Sequence, residues 1–435
     1  MIMDVEADAG RLYMHETGRL PHRYSYGSSA ATRQQSGWIE WASLVDLPTT
    51  TPILETIFGG LDAYALLSVP FFVFAGELMA ISGIADRLIN LVRALFGRVP
   101  GSLGIAALGG STLIGTICGS SAAAVAAVGR NMYPQLIEGG YGRTRAAGII
   151  TSSGAIDIVI PPSIAMILYG ASAEQSIAKL FIAGIIPGIV MALLMAGYIS
   201  ISALLAKIPR EDSFRARVAW QAFKQAFWAL TMPAFVMVGI YAGLFSPTEA
   251  GGFACAYAAF LGMAVYRTVT FKSLLEAAVS SAMMTARIMI VVAAAGVISW
   301  VLTVEGVPQA LVAATADAGL SPLGFLLCVN LLLLAIGCVL DPTSAILVLS
   351  PLLVPIAVSL GIDPIHFGIV MTVNLAIGMF TPPFGLNIFV AQSVLGIRTS
   401  EIYRGVLPFI GVQVSALALI TLVPALSLWL LHGMS

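Results

Sequence analysis

The sequence predicts an all-α polytopic membrane protein made of two inverted repeats, each with a re-entrant helical hairpin and a broken helix. Of its 435 residues, 58% are hydrophobic and 10% are charged, whereas soluble domains are roughly 45–50% apolar and about 25% charged. Many apolar segments are long enough to cross a bilayer. A pair of adjacent prolines also occurs twice, each time after a polar interruption of an apolar segment. This organisation is typical of ion-coupled secondary transporters.

Charge and cysteine usage exclude several other classes of protein. The chain has 21 basic and 22 acidic residues and a net charge of -1, which argues against a nucleic-acid partner held by a basic patch. The four cysteines form no CxxC pair, and the four histidines show no ligand spacing. We therefore expect the lipid bilayer as the surroundings, with no metal centre and no resident cofactor.

Eight apolar segments are long enough to cross about 30 Å of hydrocarbon. They are residues 61–81, 146–173, 180–205, 227–245, 250–266, 279–303, 364–394 and 405–431. Two further apolar segments, 103–129 and 323–360, are interrupted by small polar residues at 119–121 (GSS) and 341–344 (DPTS). Backbone outside a helix is tolerated at membrane depth only where protein or water satisfies it. We interpret both segments as re-entrant hairpins with functional tips.

The basic residues predict that the two hairpins enter the membrane from opposite sides. Arginines flank the first hairpin on both sides, at positions 87, 93, 98, 130, 143 and 145. No basic residue occurs between Arg287 and Arg398, the stretch that contains the second hairpin. Because positive residues are retained in the cytoplasm, the first hairpin is expected to enter from the cytoplasm and the second from outside.

An internal repeat is visible in the positions of proline and glycine. Pro161-Pro162 recurs as Pro382-Pro383, and at the same separation Gly184 recurs as Gly405 and Pro187 as Pro408. A shared register of this kind predicts two units of the same fold. We therefore divide the chain into a first repeat at 57–206, a linker with scaffold helices at 207–278 and a second repeat at 279–435. An atypical polar segment at 1–56 precedes them.

Each Pro-Pro pair is expected to break its span, 146–173 or 364–394, and to free carbonyl oxygens upstream, because proline donates no N–H and clashes with the preceding turn. Carbonyl and hydroxyl oxygens suit hard cations such as sodium. The first predicted sodium site joins the first tip to the end of the half-helix before Pro161: Gly119, Ser120, Ser121, Ser153 and Gly154. The second site mirrors it with Pro342, Thr343, Ser344, Asn374, Gly378 and Thr381.

The half-helices after the prolines predict an anion site. Helix N-termini expose N–H groups that attract anions, so Ser163, Gly385 and Asn387 are expected to face a substrate carboxylate. No Lys or Arg is expected at that depth. The prolines themselves are interpreted as hinge or substrate positions: Pro161, Pro162, Pro382 and Pro383. The alternative for each Ser or Thr is a hydrogen bond to a carbonyl of its own helix.

Four ionisable residues lie within apolar segments, where such groups are functional hypotheses. Glu77 is the weakest of them, because near the inner end of its span it reaches water or Arg87. Asp341 either caps the helix that follows it or contacts an ion. Asp157 either ligates a cation or carries a proton. Arg287 lies in the first turns of its span, and we interpret its side chain as reaching the cytoplasmic face.

Several longer motifs resemble the large membrane subunit of tripartite ATP-independent periplasmic (TRAP) transporters. They are GLDAYALLSVPFFVFAGELM at 60–79, CGSSAAAVAAVG at 118–129, IPPSIAMILYG at 160–170, FSPTEAG at 245–251, DPTSAILVLSPLLVPI at 341–356 and MFTPPFGLNIF at 379–389. The resemblance runs from about residue 57 to the end of the chain. Its specificity comes from several motifs in the same order.

The resemblance implies an elevator-type transporter in the bacterial inner membrane that imports a small organic acid with a sodium gradient. It implies two partners, a periplasmic substrate-binding protein and a small four-helix membrane subunit. Sodium ions would be held at the GSS tip, at IPPS (160–163), at the DPTS tip and at TPPFG (381–385).

Two features depart from the pattern of the family. Residues 1–43 are polar and contain no span, so the first helix of the family is expected to be missing. Asp157 stands where a small residue is expected, which leaves the number and kind of coupling ions open. The alternative function is a self-sufficient carrier of the dicarboxylate or citrate type. An enzyme is not expected, because Ser120 and Ser121 have no His or Lys partner in any span.

Overall fold

The computed structural model describes residues 50–209 and 216–433. These residues are helical, and no strand occurs among them. Residues 55–435 form one compact unit, and the other unit ends at Leu54. Almost all of the predicted polar segment 1–56 lies outside the described residues, so the expectation of a missing first helix is not tested.

Eight α-helices make up the first half of the described chain. They are α1 (Thr50–Leu61), α2 (Ser68–Ile81), α3 (Ile84–Phe96), α4 (Ser102–Cys118), α5 (Ser121–Glu138), α6 (Arg143–Ser153), α7 (Ile164–Ser172) and α8 (Ile177–Leu205). A 3-10 turn at Tyr64–Leu67 leads into α2, and another at Ile156–Ile158 follows α6.

Ten α-helices make up the second half of the described chain. They are α9 (Ala216–Tyr241), α10 (Pro247–Phe260), α11 (Phe271–Val304), α12 (Val307–Asp317), α13 (Pro322–Gly337), α14 (Pro342–Ser359), α15 (Pro364–Gly378), α16 (Leu386–Leu395), α17 (Thr399–Leu422) and α18 (Ala425–His432). A π-helical turn at Leu261–Val265 extends α10.

Seven helices among the described residues are long and apolar enough to cross a membrane. Six of them overlap predicted continuous spans, and the seventh is α14, the second arm of the second hairpin. The chain is therefore a multi-pass membrane protein. One prediction needs correction: the span 405–431 is not a single helix, because α17 ends at Leu422 and Pro424 starts the separate helix α18.

The helix break predicted in the first half is present. Helix α6 ends at Ser153, and α7 begins only after Pro161-Pro162, with Ser163 as its N-cap. The prolines donate no N–H, so the chain does not return to an α-helix until after them, where Ser163 caps α7. The two half-helices are among the most buried parts of the chain, since every residue from Ala146 to Val159 is buried.

The second break has the same construction. Helix α15 ends at Gly378, and α16 begins at Leu386, after Pro382-Pro383. Both Pro-Pro peptide bonds are cis. Every residue of α15 from Ile365 to Gly378 is buried, and an apolar helix buried on all sides is expected to lie inside a larger bundle.

Both predicted hairpins are present as two helices joined by a short tip. The first is α4, the tip and α5, and the second is α13, a turn at 338–341 and α14. Helix α5 runs to Glu138 instead of ending near residue 129, with Pro134 inside it. The short helices α3 and α12, which lead into the two hairpins, were not predicted from the sequence.

Helices of the first half of the chain pack against helices of the second half. Helix α5 of the first hairpin packs against the second half-helix α16, and α14 of the second hairpin packs against the first half-helix α7. Helix α6 packs against α17 so closely that a Cβ on Gly148 would overlap the backbone of Gly405, and a Cβ on Gly405 would overlap the carbonyl of Thr144. This packing between the two halves brings both tips and both breaks into one region.

Candidate ion and substrate site

A cavity of about 540 Å³ lies where the tips and breaks meet. The first tip contributes Gly119, Ser120 and Ser121, and the second tip contributes residues 341–344. Around the breaks, Ile158, Ile164, Met379 and Leu386 line the same cavity, and residues of α2 and α11 also take part. One cavity therefore joins the two predicted tips and the two predicted breaks.

The first tip is shaped by a glycine in the left-handed backbone region. Gly119 has a φ of 61°, and its N–H donates to the carbonyl of Gly115 at 2.7 Å, which ends α4. A Cβ at this position would lie 3.2 Å from side-chain atoms of Ile164. Ser120 then caps α5, because its Oγ accepts from the N–H of Ala123 at 3.4 Å.

Asn387 connects the first tip to both breaks. Its Nδ2 donates to Ser121 Oγ at 2.7 Å and to the carbonyl of Thr151 at 3.4 Å. A Cβ on Gly154 would lie 2.6 Å from Ser121 Oγ, so the end of α6 touches the same hydroxyl. Asn387 is fully buried, and its Oδ1 has no hydrogen-bond partner. The structure thus brings together Ser121, Gly154 and Asn387, three of the predicted site residues.

Two other predicted residues make hydrogen bonds within their own helices. Ser153 donates from Oγ to the carbonyl of Ile149 at 2.5 Å, the local bond that was the alternative for each hydroxyl residue. Ser163 accepts from the N–H of Met166 at 3.4 Å and caps α7. Both residues are buried, and neither lines the cavity.

The second tip is organised by Asp341, which caps α14. Its carboxylate accepts from the Ser344 N–H at 3.1 Å, from Ser344 Oγ at 2.5 Å and from Thr343 Oγ1. This is the capping role that the sequence allowed. Pro342 occupies the first turn of α14, where its missing N–H needs no partner.

The three residues expected to face the second tip lie elsewhere. Asn374 donates to Asn330 Oδ1 and to the carbonyl of Val370, both at 2.8 Å, and its own Oδ1 is buried without a partner. Gly378 lies against Gly337, so closely that a Cβ would overlap that residue. Thr381 donates from Oγ1 to the carbonyl of Ile377 at 2.7 Å. Asn374 and Gly378 therefore contact α13, the first arm of the hairpin, and Thr343 is not a hydrogen-bond partner of any of the three.

Asp157 lies in the 3-10 turn between α6 and the first Pro-Pro pair and is fully buried. Ser111 Oγ donates to its Oδ2 at 3.4 Å, and its Oδ1 has no partner. The carboxyl group fills the space left by Gly115 on α4, where a Cβ would overlap it. The neighbouring Ile158 lines the cavity, whereas the Asp157 side chain packs against the hairpin arm.

Two charged residues join the site against expectation. Glu77 on α2 and Arg287 on α11 both line the cavity, and Ser280 Oγ donates to Glu77 Oε1 at 3.2 Å. An arginine therefore lines this cavity, on a helix whose face could not be read from its span boundaries. The sequence feature that could have identified Glu77 and Arg287 as site residues is a charged side chain inside an apolar span.

Four helices begin at the cavity. The first helical residues of α5, α7, α14 and α16 all line it: Ser121, Ile164, Pro342 and Leu386. Helix N-termini carry unpaired N–H groups and partial positive charge, so four of them around one space favour an anion there. Hydroxyl, amide and backbone oxygens at the same place suit a hard cation.

A multi-pass helical protein with two hairpin tips, two broken helices and one shared cavity has the organisation of a membrane transporter. The profile of the family described as "Tripartite ATP-independent periplasmic transporter, DctM component" matches residues 31–426. The chain belongs to this family, the large permease subunits of TRAP transporters, as its motifs predicted.

Curated relatives agree with this assignment. The chain is 39% identical to the C4-dicarboxylate TRAP transporter large permease protein DctM of Pseudomonas aeruginosa, over 87% of this chain and 89% of that protein. It is 35% identical to the 2,3-diketo-L-gulonate TRAP transporter large permease protein YiaN of Escherichia coli, over 89% and 90%. A longer relative, the isethionate TRAP transporter permease protein DctMQ of Oleidesulfovibrio alaskensis, is 35% identical over 87% of this chain and 60% of its own length.

The fold resembles a solved membrane transporter. The structure of the YdaH transporter of Alcanivorax borkumensis, described as having an unusual topology, superposes with a TM-score of 0.57. The superposition covers 86% of this chain and 88% of that one at 16% sequence identity. This likeness concerns the fold alone.

Proposed function

We propose that this chain is the translocating subunit of a TRAP transporter that imports a small organic acid across the bacterial inner membrane, driven by sodium. The observation that carries the proposal is the single cavity lined by two hairpin tips and the N-termini of four helices. Helix N-termini favour the anionic substrate, and the oxygen atoms around them favour the coupling cation. The substrates named for the relatives include C4-dicarboxylates and 2,3-diketo-L-gulonate.

Two buried amide oxygens support sodium as the coupling ion. Asn387 Oδ1 lies in the group that joins Ser121 and Thr151, and Asn374 Oδ1 lies inside α15, the half-helix before the second break; both lack a hydrogen-bond partner. A buried amide oxygen without a partner costs free energy, and a dehydrated cation would remove that cost. The first ion site then consists of the GSS tip with Gly154 and Asn387, and the second lies around Asn374, where α15 packs against the hairpin arm α13.

Coupling follows if sodium binds best when the substrate is present. A ligand shifts an equilibrium between states only through its different affinity for each of them. Ions at these two sites would hold both hairpins against the half-helices, and the loaded unit would then move as an elevator across the membrane.

The proposed transporter needs two partners. A periplasmic binding protein would deliver the substrate, and a small membrane subunit would accompany this chain. The longer relative supports the membrane partner, because this chain matches 60% of its length and leaves room for a further segment in the same polypeptide. The alternative, a self-sufficient carrier, predicts uptake that needs no binding protein.

The test is uptake by the reconstituted complex in liposomes. Ser120→Leu and Thr343→Leu place bulky apolar groups in the cavity lining and are expected to abolish sodium-driven uptake while insertion remains normal. Ser415→Leu is the matched control, since this exposed serine on α17 bonds only to the carbonyl of Val412. Unchanged uptake in the tip variants would remove these positions from the site. Uptake by the wild-type chain without a binding protein would favour the alternative.

A further inference from the structure

One face of helix α11 lines the cavity. Ser280, Met283, Met284, Arg287, Ile288 and Val291 line the cavity, and their spacing of three, four and seven residues places them on one side of a helix. Ser280 and Arg287 are two turns apart, about 10 Å along the axis. Apolar side chains therefore separate two polar points on this face.

The first polar point is the guanidinium of Arg287. Among the described residues it has no hydrogen-bond or ion-pair partner, and its side chain is exposed. A guanidinium has five N–H donors in a planar fork that matches a carboxylate. An arginine inside an apolar span is costly unless an anion pairs with it. Its position in the cavity lining makes the occupant of the cavity the natural partner.

The second polar point is the carboxylate of Glu77. It is half-buried and accepts one hydrogen bond, from Ser280 Oγ at 3.2 Å. An ionised carboxylate has about four acceptor positions, so further donors can bind it from the cavity. A second negative charge at this point would meet the carboxylate at short range and be repelled. This end of the cavity accepts a donor and disfavours an anion.

We propose that Arg287 binds the anionic group of the transported acid and that Glu77 accepts hydrogen bonds from a hydroxyl or ammonium group at its far end. The preferred substrate is then an organic anion with a single negative charge and a donor group, instead of a dicarboxylate. This inference rests on the proposed function, because it assigns the substrate class of the same cavity.

The test measures how sodium salts stabilise the purified transporter complex against heat. Sodium gluconate, a hydroxylated monocarboxylate, is compared with sodium succinate, a dicarboxylate, and with sodium chloride at equal sodium concentration. A ligand that binds only the folded state raises the melting temperature. Gluconate is expected to raise the Tm of the wild-type complex, and succinate is expected to have no effect beyond that of chloride.

Three variants test whether Arg287 and Glu77 cause the difference between gluconate and succinate. Arg287→Gln is expected to weaken gluconate binding by about tenfold or more, since a hydrogen bond to a charged group is lost. Arg287→Lys keeps the charge and should keep part of the affinity. Glu77→Gln is expected to let succinate stabilise the complex. The matched control is Arg267→Gln, which changes an exposed arginine outside the cavity and should bind gluconate as the wild type does.

The proposal is overturned if gluconate does not stabilise the wild type, if Arg287→Gln retains the full response, or if succinate stabilises the wild type equally well. Size-exclusion profiles identical to the wild type exclude misfolding of the variants. Sodium-driven uptake of radiolabelled gluconate and of radiolabelled succinate is measured in parallel, in liposomes with the binding protein. If the wild type shows that uptake while the binding pattern fails, only the substrate class is wrong. If uptake itself is absent, the proposed function fails.

Discussion

Asp157 and Gly115 fit together only because Gly115 has no side chain. The fully buried carboxyl group occupies the position of the missing Cβ, and Ser111, one turn earlier on α4, donates to it. The pair fixes the first hairpin arm against the turn before Pro161. The sequence identified Asp157 as unusual for this position, but its partners lie more than 40 residues away in the chain and could not be derived from local pattern.

This fit predicts a strong interaction between the two positions. Gly115→Ala forces the carboxyl group to move and is expected to destabilise the protein by about 1–3 kcal/mol, as overpacking of a core does. Asp157→Gly should remove the clash, so the double variant should recover most of the loss. Thermal unfolding in detergent measures the loss of stability in the single variant and its recovery in the double variant. Gly197→Ala on α8, where a Cβ meets nothing within 4 Å, is the control. Equal losses in the single and double variants would contradict the fit.

The site residues show the same limit of sequence reasoning. The prolines predicted where backbone would leave the helix, and the hydroxyl residues of the two tips do line the cavity. The contact of Asn387 with Ser121 joins opposite halves of the chain, and no spacing rule reports such a pair. That Arg287 lines the cavity could not be predicted, because a span boundary says nothing about which face of the helix meets a cavity.

At the scale of elements, each hairpin packs against a half-helix of the other half of the chain. Each hairpin packs its second arm on the half-helix of the other repeat, so movement of one hairpin would change the contacts of both breaks. The spans, hairpins and breaks were predictable, because long apolar runs and Pro-Pro pairs are strong signals. Helices α3 and α12 were missed, since they are short; α3 carries Asp86, Arg87 and Arg93 on its polar face.

The opposite entry of the two hairpins is a prediction about elements that labelling can test. In a chain whose native cysteines are replaced by serine, Asp317→Cys at the end of α12 is expected to react with a membrane-impermeant reagent from outside. Arg143→Cys at the start of α6 is expected to react only from inside, because its side is rich in basic residues. Both positions are exposed. Reaction from the same side would contradict the inverted arrangement.

At the scale of the whole molecule, composition and family agree with the arrangement of helices. Apolar spans surround a buried centre in which the half-helices and the polar tips meet. This arrangement places the two polar tips and the charged residues Glu77, Arg287 and Asp341 around one cavity. The central claim of the proposed mechanism is that sodium binds at this centre and strengthens substrate binding.

Binding of radioactive sodium to the purified complex tests that claim most directly. The wild type is expected to bind sodium saturably, and Asn387→Leu, which removes the amide that links Ser121 to Thr151, is expected to lose most of this binding. Gln392→Leu, which changes an exposed amide on the same helix, should bind sodium as the wild type does. Saturable sodium binding that Asn387→Leu leaves unchanged would contradict the account.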